Sequence, residues 1–230
     1  MSFAPDIVEH LARAGADLRM GVPIVVTRQG RAALVAAAET VDAARLASML
    51  AIEGPAVLAI TARRAETLKA RAYDGDLARI MVPGDATRAW VQSIADPSDD
   101  LRQPMKGPLQ TMRDGPADLA RTSILLTKSA RLLPAALMTP LADGAGFAST
   151  YGLTTIPADA AAPHLADTSP LHPVVAARLP MMAAEAGRLH VFRPEDGREE
   201  HYAIEIGRPS RDKPVLARLH SACFTGDVLG

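Results

Sequence analysis

The sequence predicts an α/β (α+β) chain: a layered domain of alternating strands and helices, then a smaller antiparallel β portion. Three observations carry this reading. Apolar residues recur at helical spacing in the early segments, short β-branched runs lie between them, and after Arg178 two strand-like runs flank a turn signal.

The elements follow in chain order. Asp6 to Arg19 sets Ile7, Val8, Leu11, Ala14 and Leu18 on one face between Pro5 and Gly21, which predicts an amphipathic helix. "VPIVVT" and "AALVAAA", separated by Gln29-Gly30, read as two buried strands. "TVDAARLASMLAIEG" reads as a second helix with Thr40 as N-cap and Gly54 past its end. "AVLAIT" is a further strand whose Thr61 caps the helix "ARRAETLKAR", and Arg63, Arg64 and Glu66 read as a helix-surface pairing. Residues 95–118 hold four prolines with little periodicity and read as a long bridging loop. "DLARTSILLTKSARLL" is a helix stopped by Pro134, and "AALMTPL" a strand. Residues 157–173, rich in proline, alanine and histidine, read as a linker. "RLHVFR" and "HYAIEI" flank Asp196-Gly197 as a hairpin, and "PVLARLH" supplies a third strand.

Composition narrows the function classes. The 230 residues carry 25 basic and 26 acidic side chains, so no global field recruits nucleic acid or an anionic membrane. No apolar run has the length of a bilayer span, and "MSFAPDIVEH" lacks the apolar stretch of a signal peptide. The one cysteine rules out an internal disulfide framework and suits a reducing, cytoplasmic setting. Phosphate-loop, dinucleotide, nucleophile-elbow and "HExxH" motifs are all missing.

Candidate chemistry gathers in "RLHSACFTGDVLG". Cys223 as a thiolate could bind zinc, with His220 as a ligand or acid–base group; with no second cysteine in the sequence, it reads by itself rather as a small buried hydrophobe. Arg218 could grip a phosphate or stand as a solvated strand-end charge. Ser221, Thr225, Gly226 and Asp227 crowd a turn whose amides could form an anion nest. His164 and His172 read as solvated loop histidines, and Ser149-Thr150 and Thr154-Thr155 around Gly152 as a turn.

"PVLARLHSACFTGDVLG" resembles the opening signature of GTP cyclohydrolase II, the zinc enzyme that begins riboflavin synthesis. "ARLPM" and the "VFRPEDGREEHYAIEIG" hairpin resemble the strands before it, so the likeness covers residues 176–230. The resemblance implies that Arg218, Leu219, His220 and Ser221 contact the GTP triphosphate and that Cys223 is the first of three cysteine zinc ligands. In that family the zinc activates water for attack on the guanine imidazole ring, releasing formate. Two departures stand out. Ala222 replaces the family's glutamate, and the Cys-Asp-Cys cluster that follows the signature in the family has no counterpart here.

"LRMGVPIVVTRQGRAALVAAAETVDAARLASML" with "AITARRAETL" resembles 3,4-dihydroxy-2-butanone 4-phosphate synthase, often fused ahead of the cyclohydrolase. That family places an acidic, magnesium-binding run between its first strands; "TRQGRA" here has no carboxylate. Together the resemblances imply a degenerate, layered α-β-α synthase-like domain over 1–165, a linker over 166–177, and the beginning of a cyclohydrolase domain over 178–230. They imply GTP as the family's ligand, zinc as its metal but not retained by this chain, no magnesium site, no catalytic residue within the chain, and a homodimer through residues 1–160. The rival expectation is a non-catalytic regulatory or assembly module derived from the fusion. Pyrimidine catabolism stands beside riboflavin synthesis as a context.

Overall fold

A computed structural model describes residues 3–98, 100–166, 170–182, 185–195, 199–210 and 212–220. The chain divides into two units, residues 1–168 and 169–230. Part of the stretch read as a linker, 171–177, belongs to the second unit as strand.

The first unit contains α1 (Ile7–Arg19), β1 (Ile24–Arg28), β2 (Arg31–Ala37), α2 (Ala43–Leu50), β3 (Val57–Thr61), α3 (Ala62–Thr67), β4 (Leu77–Met81), α4 (Arg88–Ala95), α5 (Asp118–Ser129), β5 (Ala135–Leu141), α6 (Gly144–Tyr151), β6 (Thr155–Pro157) and α7 (Ala158–Ala166). Its six strands run in the order β4-β3-β5-β2-β1-β6, antiparallel except for the β1–β6 pair. Side chains alternate across a pleated strand, so a sheet covered on both faces needs apolar residues at successive positions. The strands satisfy this. Ile24, Val26, Val35, Val57, Ala59 and Met138 pack on one face with α1, α5 and α7. Val25, Leu34, Leu58, Ile60, Ile80 and Leu137 pack on the other with α2, α3, α4 and α6. The predicted layered α-β-α domain is therefore the observed one. Each fully buried Leu or Ile contributes about 1.5–3 kcal/mol.

Local chemistry sets the element boundaries. Gln29 (φ 47°) and Gly30 (φ 74°) both take the left-handed conformation, the geometry of a two-residue hairpin turn matched to strand twist. Asp6 and Glu9 close a reciprocal capping box on α1. Thr61 caps α3 as expected, accepting from the Arg64 N–H at 3.2 Å. The cap of α2 is Asp42, which accepts from the Arg45 N–H at 2.7 Å, and not Thr40. The Thr40 hydroxyl instead donates to the Leu18 carbonyl at 2.5 Å, tying α1 to the strand end. Within the stretch read as a linker, alanine-rich residues 158–166 continue the fold as α7, with Ala158 and Ala161 in the core.

The second unit is a three-stranded antiparallel sheet, β7 (Leu171–Arg178), β8 (Gly187–Pro194) and β9 (His201–Ile206), in that order. Its third strand is β7, since "PVLARLH" carries no strand pairing. The Asp196-Gly197 turn signal lies outside the described residues. The cross-strand pairs Val175–Val191–Tyr202 and Ala177–Leu189–Ile204 share one face with Ile206. On that face Val175, Tyr202, Ile204 and Ile206 are exposed. Among the described residues, no helix is long and apolar enough to cross a membrane.

Gly144 marks a close helix–sheet approach. A Cβ built there would lie 2.4 Å from the Ala32 Cβ and 3.2 Å from the Val25 Cγ1. Overpacking of this kind costs about 1–3 kcal/mol, so Gly144→Ala is expected to lower the urea unfolding midpoint by a corresponding amount without changing the m-value.

Candidate functional site

In the first unit, with both sheet faces filled, polar side chains converge beyond the strand ends. Arg28 closes β1 and Arg31 opens β2 across the Gln29-Gly30 turn. Asp118 begins α5, and Asp159 lies in the first turn of α7. The Arg31 guanidinium grips Asp118 with both arms, Nη1 to Oδ1 at 2.9 Å and Nη2 to Oδ2 at 2.6 Å. Arg28 Nε lies 2.8 Å from Asp159 Oδ1 and 3.4 Å from Asp118 Oδ2, close enough for ion pairing but without hydrogen-bond alignment. No side chain caps α5, so the Asp118 charge also answers that helix's positive end.

Two further forked pairs extend the lattice. Arg121 donates to both oxygens of Asp76 at 2.6 and 2.7 Å. Arg79, 5% exposed in the middle of β4, donates to both oxygens of Asp74 at 2.8 and 2.9 Å and to the Gly115 carbonyl at 3.0 Å. The hydrogen bonds from Arg31 hold the Asp118 carboxyl below the usual carboxylate range, and Asp118 in turn raises Arg31. Arg121 does the same to Asp76. Carboxylates engaged this way are bound to guanidinium groups and are not poised as proton acceptors. Among the described residues, no group of three or more His, Cys, Asp or Glu side chains is placed to hold a metal ion.

In the sequence the "TRQGRA" stretch shows its Gln29-Gly30 turn and its missing carboxylates. What it contributes is the pair of arginines, whose signal was their position on either side of a Gln-Gly turn. The helix-surface pairing expected for Arg64 is corrected. Its guanidinium turns inward to Asp100 and to the carbonyls of Ser93, Ile94 and Asp96.

In the second unit, Arg218, Leu219 and His220 lie in an exposed segment without regular structure. Ser221 and Cys223, with Thr225, Gly226 and Asp227, lie outside the described residues. His172 sits on β7 with its Nε2 beside Glu195, and His190 on β8 meets Glu205 Oε2 at 2.8 Å. Arg193 and Tyr202 hydrogen-bond Glu200, and Arg193 above all holds that carboxyl low. His164 lies in α7, not in a loop.

Residues 172–230 match the family model for GTP cyclohydrolase II. The chain is 34% identical over 224 residues to a GTP cyclohydrolase-2 of Azospirillum brasilense, covering 94% of this chain and 58% of that protein. It is 32% identical over 222 residues to a GTP cyclohydrolase-2 of Xylella fastidiosa, covering 95% of this chain and 53% of that protein. The chain thus spans little more than half the length of these relatives. Among solved structures it is similar in fold to RibBX, a two-domain 3,4-dihydroxy-2-butanone 4-phosphate synthase from A. baumannii. There the TM-score is 0.52 at 16% identity, covering 86% of this chain and 70% of that one.

A carboxyl held low by its partners contributes stability that is complete above the ordinary carboxylate pKa of about 4 and is lost as pH falls through the depressed folded value. Asp118→Asn is therefore expected to flatten the loss of stability below pH 4. At pH 7, leaving Arg31 without its carboxylate costs about 1–3 kcal/mol. Urea titrations of both proteins from pH 7 to pH 2 check the sign and the window.

Proposed function

We propose that this GTP cyclohydrolase II-like chain of riboflavin biosynthesis joins a chemically silent synthase-like unit, residues 1–165, to the opening portion of a cyclohydrolase domain, residues 178–230. On this reading the chain does not turn over GTP by itself. The family match over residues 172–230 supports the assignment. The observation that carries the inactivity is that Cys223 is the only cysteine in the 230 residues. A catalytic zinc keeps three protein ligands and one open position, and a lone thiolate does not furnish that sphere. The residues present do not fit the metal, and no step is routed through it. Arg218, Leu219, His220 and Ser221 are assigned to the triphosphate: a guanidinium fork and turn amides suit phosphate oxygens. Binding without conversion is the consequence.

The β1–β2 turn supports silence in the first unit. Arg28 and Arg31 stand beside Asp118 and Asp159, so the nearby carboxylates are already engaged by guanidinium groups and are not free to coordinate magnesium. This arrangement also favours a second reading, in which the chain is a regulatory or assembly module. In a cytoplasmic setting it would act as a homodimer through residues 1–160.

Formate release from GTP with added zinc, alongside metal content per chain, tests the inactivity on which both readings rest. The expected result is no formate above a protein-free blank and well under one zinc per chain. Turnover accompanied by stoichiometric zinc would overturn the proposal. Light scattering tests the dimer, and a monomer mass would reject it.

A further inference from the structure

β4 ends the six-stranded sheet, and the bare edge of a terminal strand is a template for pairing with another chain. Here the edge is occupied by the segment between α4 and α5. The Met81 N–H donates to the Gln110 carbonyl at 2.8 Å, and the Met112 N–H donates to the Arg79 carbonyl at 2.8 Å. Thr111 thereby bridges Ile80 in antiparallel register. One bridge is a weak pairing, and the segment is held chiefly by side chains. Leu109 packs against one core cluster and Met112 against the other.

Upstream, Asp100 lies between Arg64 and Lys106, whose side chains are 10% and 5% exposed. Lys106 Nζ also donates to the Ser93 carbonyl at 2.6 Å, and Arg64 to those of Ser93, Ile94 and Asp96. The clasp therefore joins the strap to the C-terminal end of α4. Downstream, Arg79 reaches from β4 to the Gly115 carbonyl. Between these anchors the crest is uncovered, with Leu101 97% and Met105 91% exposed.

We propose that residues 100–117 are an edge guard, and that β4 beneath them is a latent strand-addition surface for a second copy of this chain. The physical case rests on the clasp. Two part-buried cations share one carboxylate, so its removal leaves the Arg64 and Lys106 charges uncompensated side by side, and separating them requires the strap to lift. Lifting returns the Met81 N–H and the Arg79 carbonyl to an open edge. An identical β4 from another molecule can satisfy them in antiparallel register, because the strand "LARIM" is apolar around its single charge.

The test uses the full chain with Asp100→Ala combined with Leu109→Ser, which removes the clasp and one apolar anchor. Hydrogen exchange at the Met112 amide reports opening, and light scattering over a concentration series reports association. Expected are at least tenfold faster Met112 exchange and a concentration-dependent mass above that of the wild type, with the Met81 amide protected again in the assembly. Fast Met112 exchange with the mass unchanged would overturn the latent edge. Unchanged Met112 protection would overturn the guard. Should the double variant lose its far-UV helical signal, Asp100→Asn alone gives the same two readings under the same criteria.

Discussion

A sheet buried on both faces can present chemistry only at the ends of its strands. That constraint organises the first unit. Its inner strands are apolar at successive positions because each face must fill a separate helical layer, and a polar residue placed there would lose water without regaining a partner. The exceptions follow the same logic. Arg79 enters the middle of β4 because that strand lies at the rim of the sheet, where Asp74 and the Gly115 carbonyl can satisfy its guanidinium. Thr139, fully buried in β5, turns its hydroxyl onto the Met49 carbonyl.

The strand ends are therefore where a synthase-like fold and this chain's chemistry can part company. Fold likeness to a synthase concerns the layers, which tolerate large sequence change as long as the strands stay apolar on both faces. What happens beyond β1 and β2 is decided by a few side chains. Here they are arginines, and their carboxylate partners arrive from distant helices, Asp118 on α5 and Asp159 on α7. A forked guanidinium occupies both oxygens of its partner, so these acids stabilise the unit and have little capacity left for a cation or a substrate proton.

Much of the fold was legible in the sequence because its signals are local. Short continuous apolar runs revealed β1, β2, β3 and β5, helical spacing revealed α1, α2 and α5, and Thr61 marked the start of α3. The failures share a non-local cause. β4 hides because Arg79 interrupts its apolar run, and the charge is admissible only through Asp74 and Gly115. Arg64 looked like a surface residue because its partner lies 36 positions away. α7 contains Pro163 and was read as linker, yet alanine and contact with the first core cluster sustain the helix. β7 found its partner in β8, a register that no single run displays. Of the candidate site, Arg218, Leu219 and His220 rest on the sequence resemblance, and the described residues place them on an exposed segment without regular structure.

The two units divide stability and reactive potential between them. The first has two filled cores and pairs its strand-end charges, so it holds its shape while offering few unengaged groups. The second carries the residues proposed above for phosphate contact. Its described framework, however, is three strands with an exposed apolar face, and its candidate contacts lie on an exposed segment. A productive site needs side chains fixed to within a fraction of an ångström by packing behind them, and three strands supply little of that. An arginine on such a segment can attract an anion by charge alone, whereas holding an anion in one orientation for reaction requires a rigid support behind the side chain.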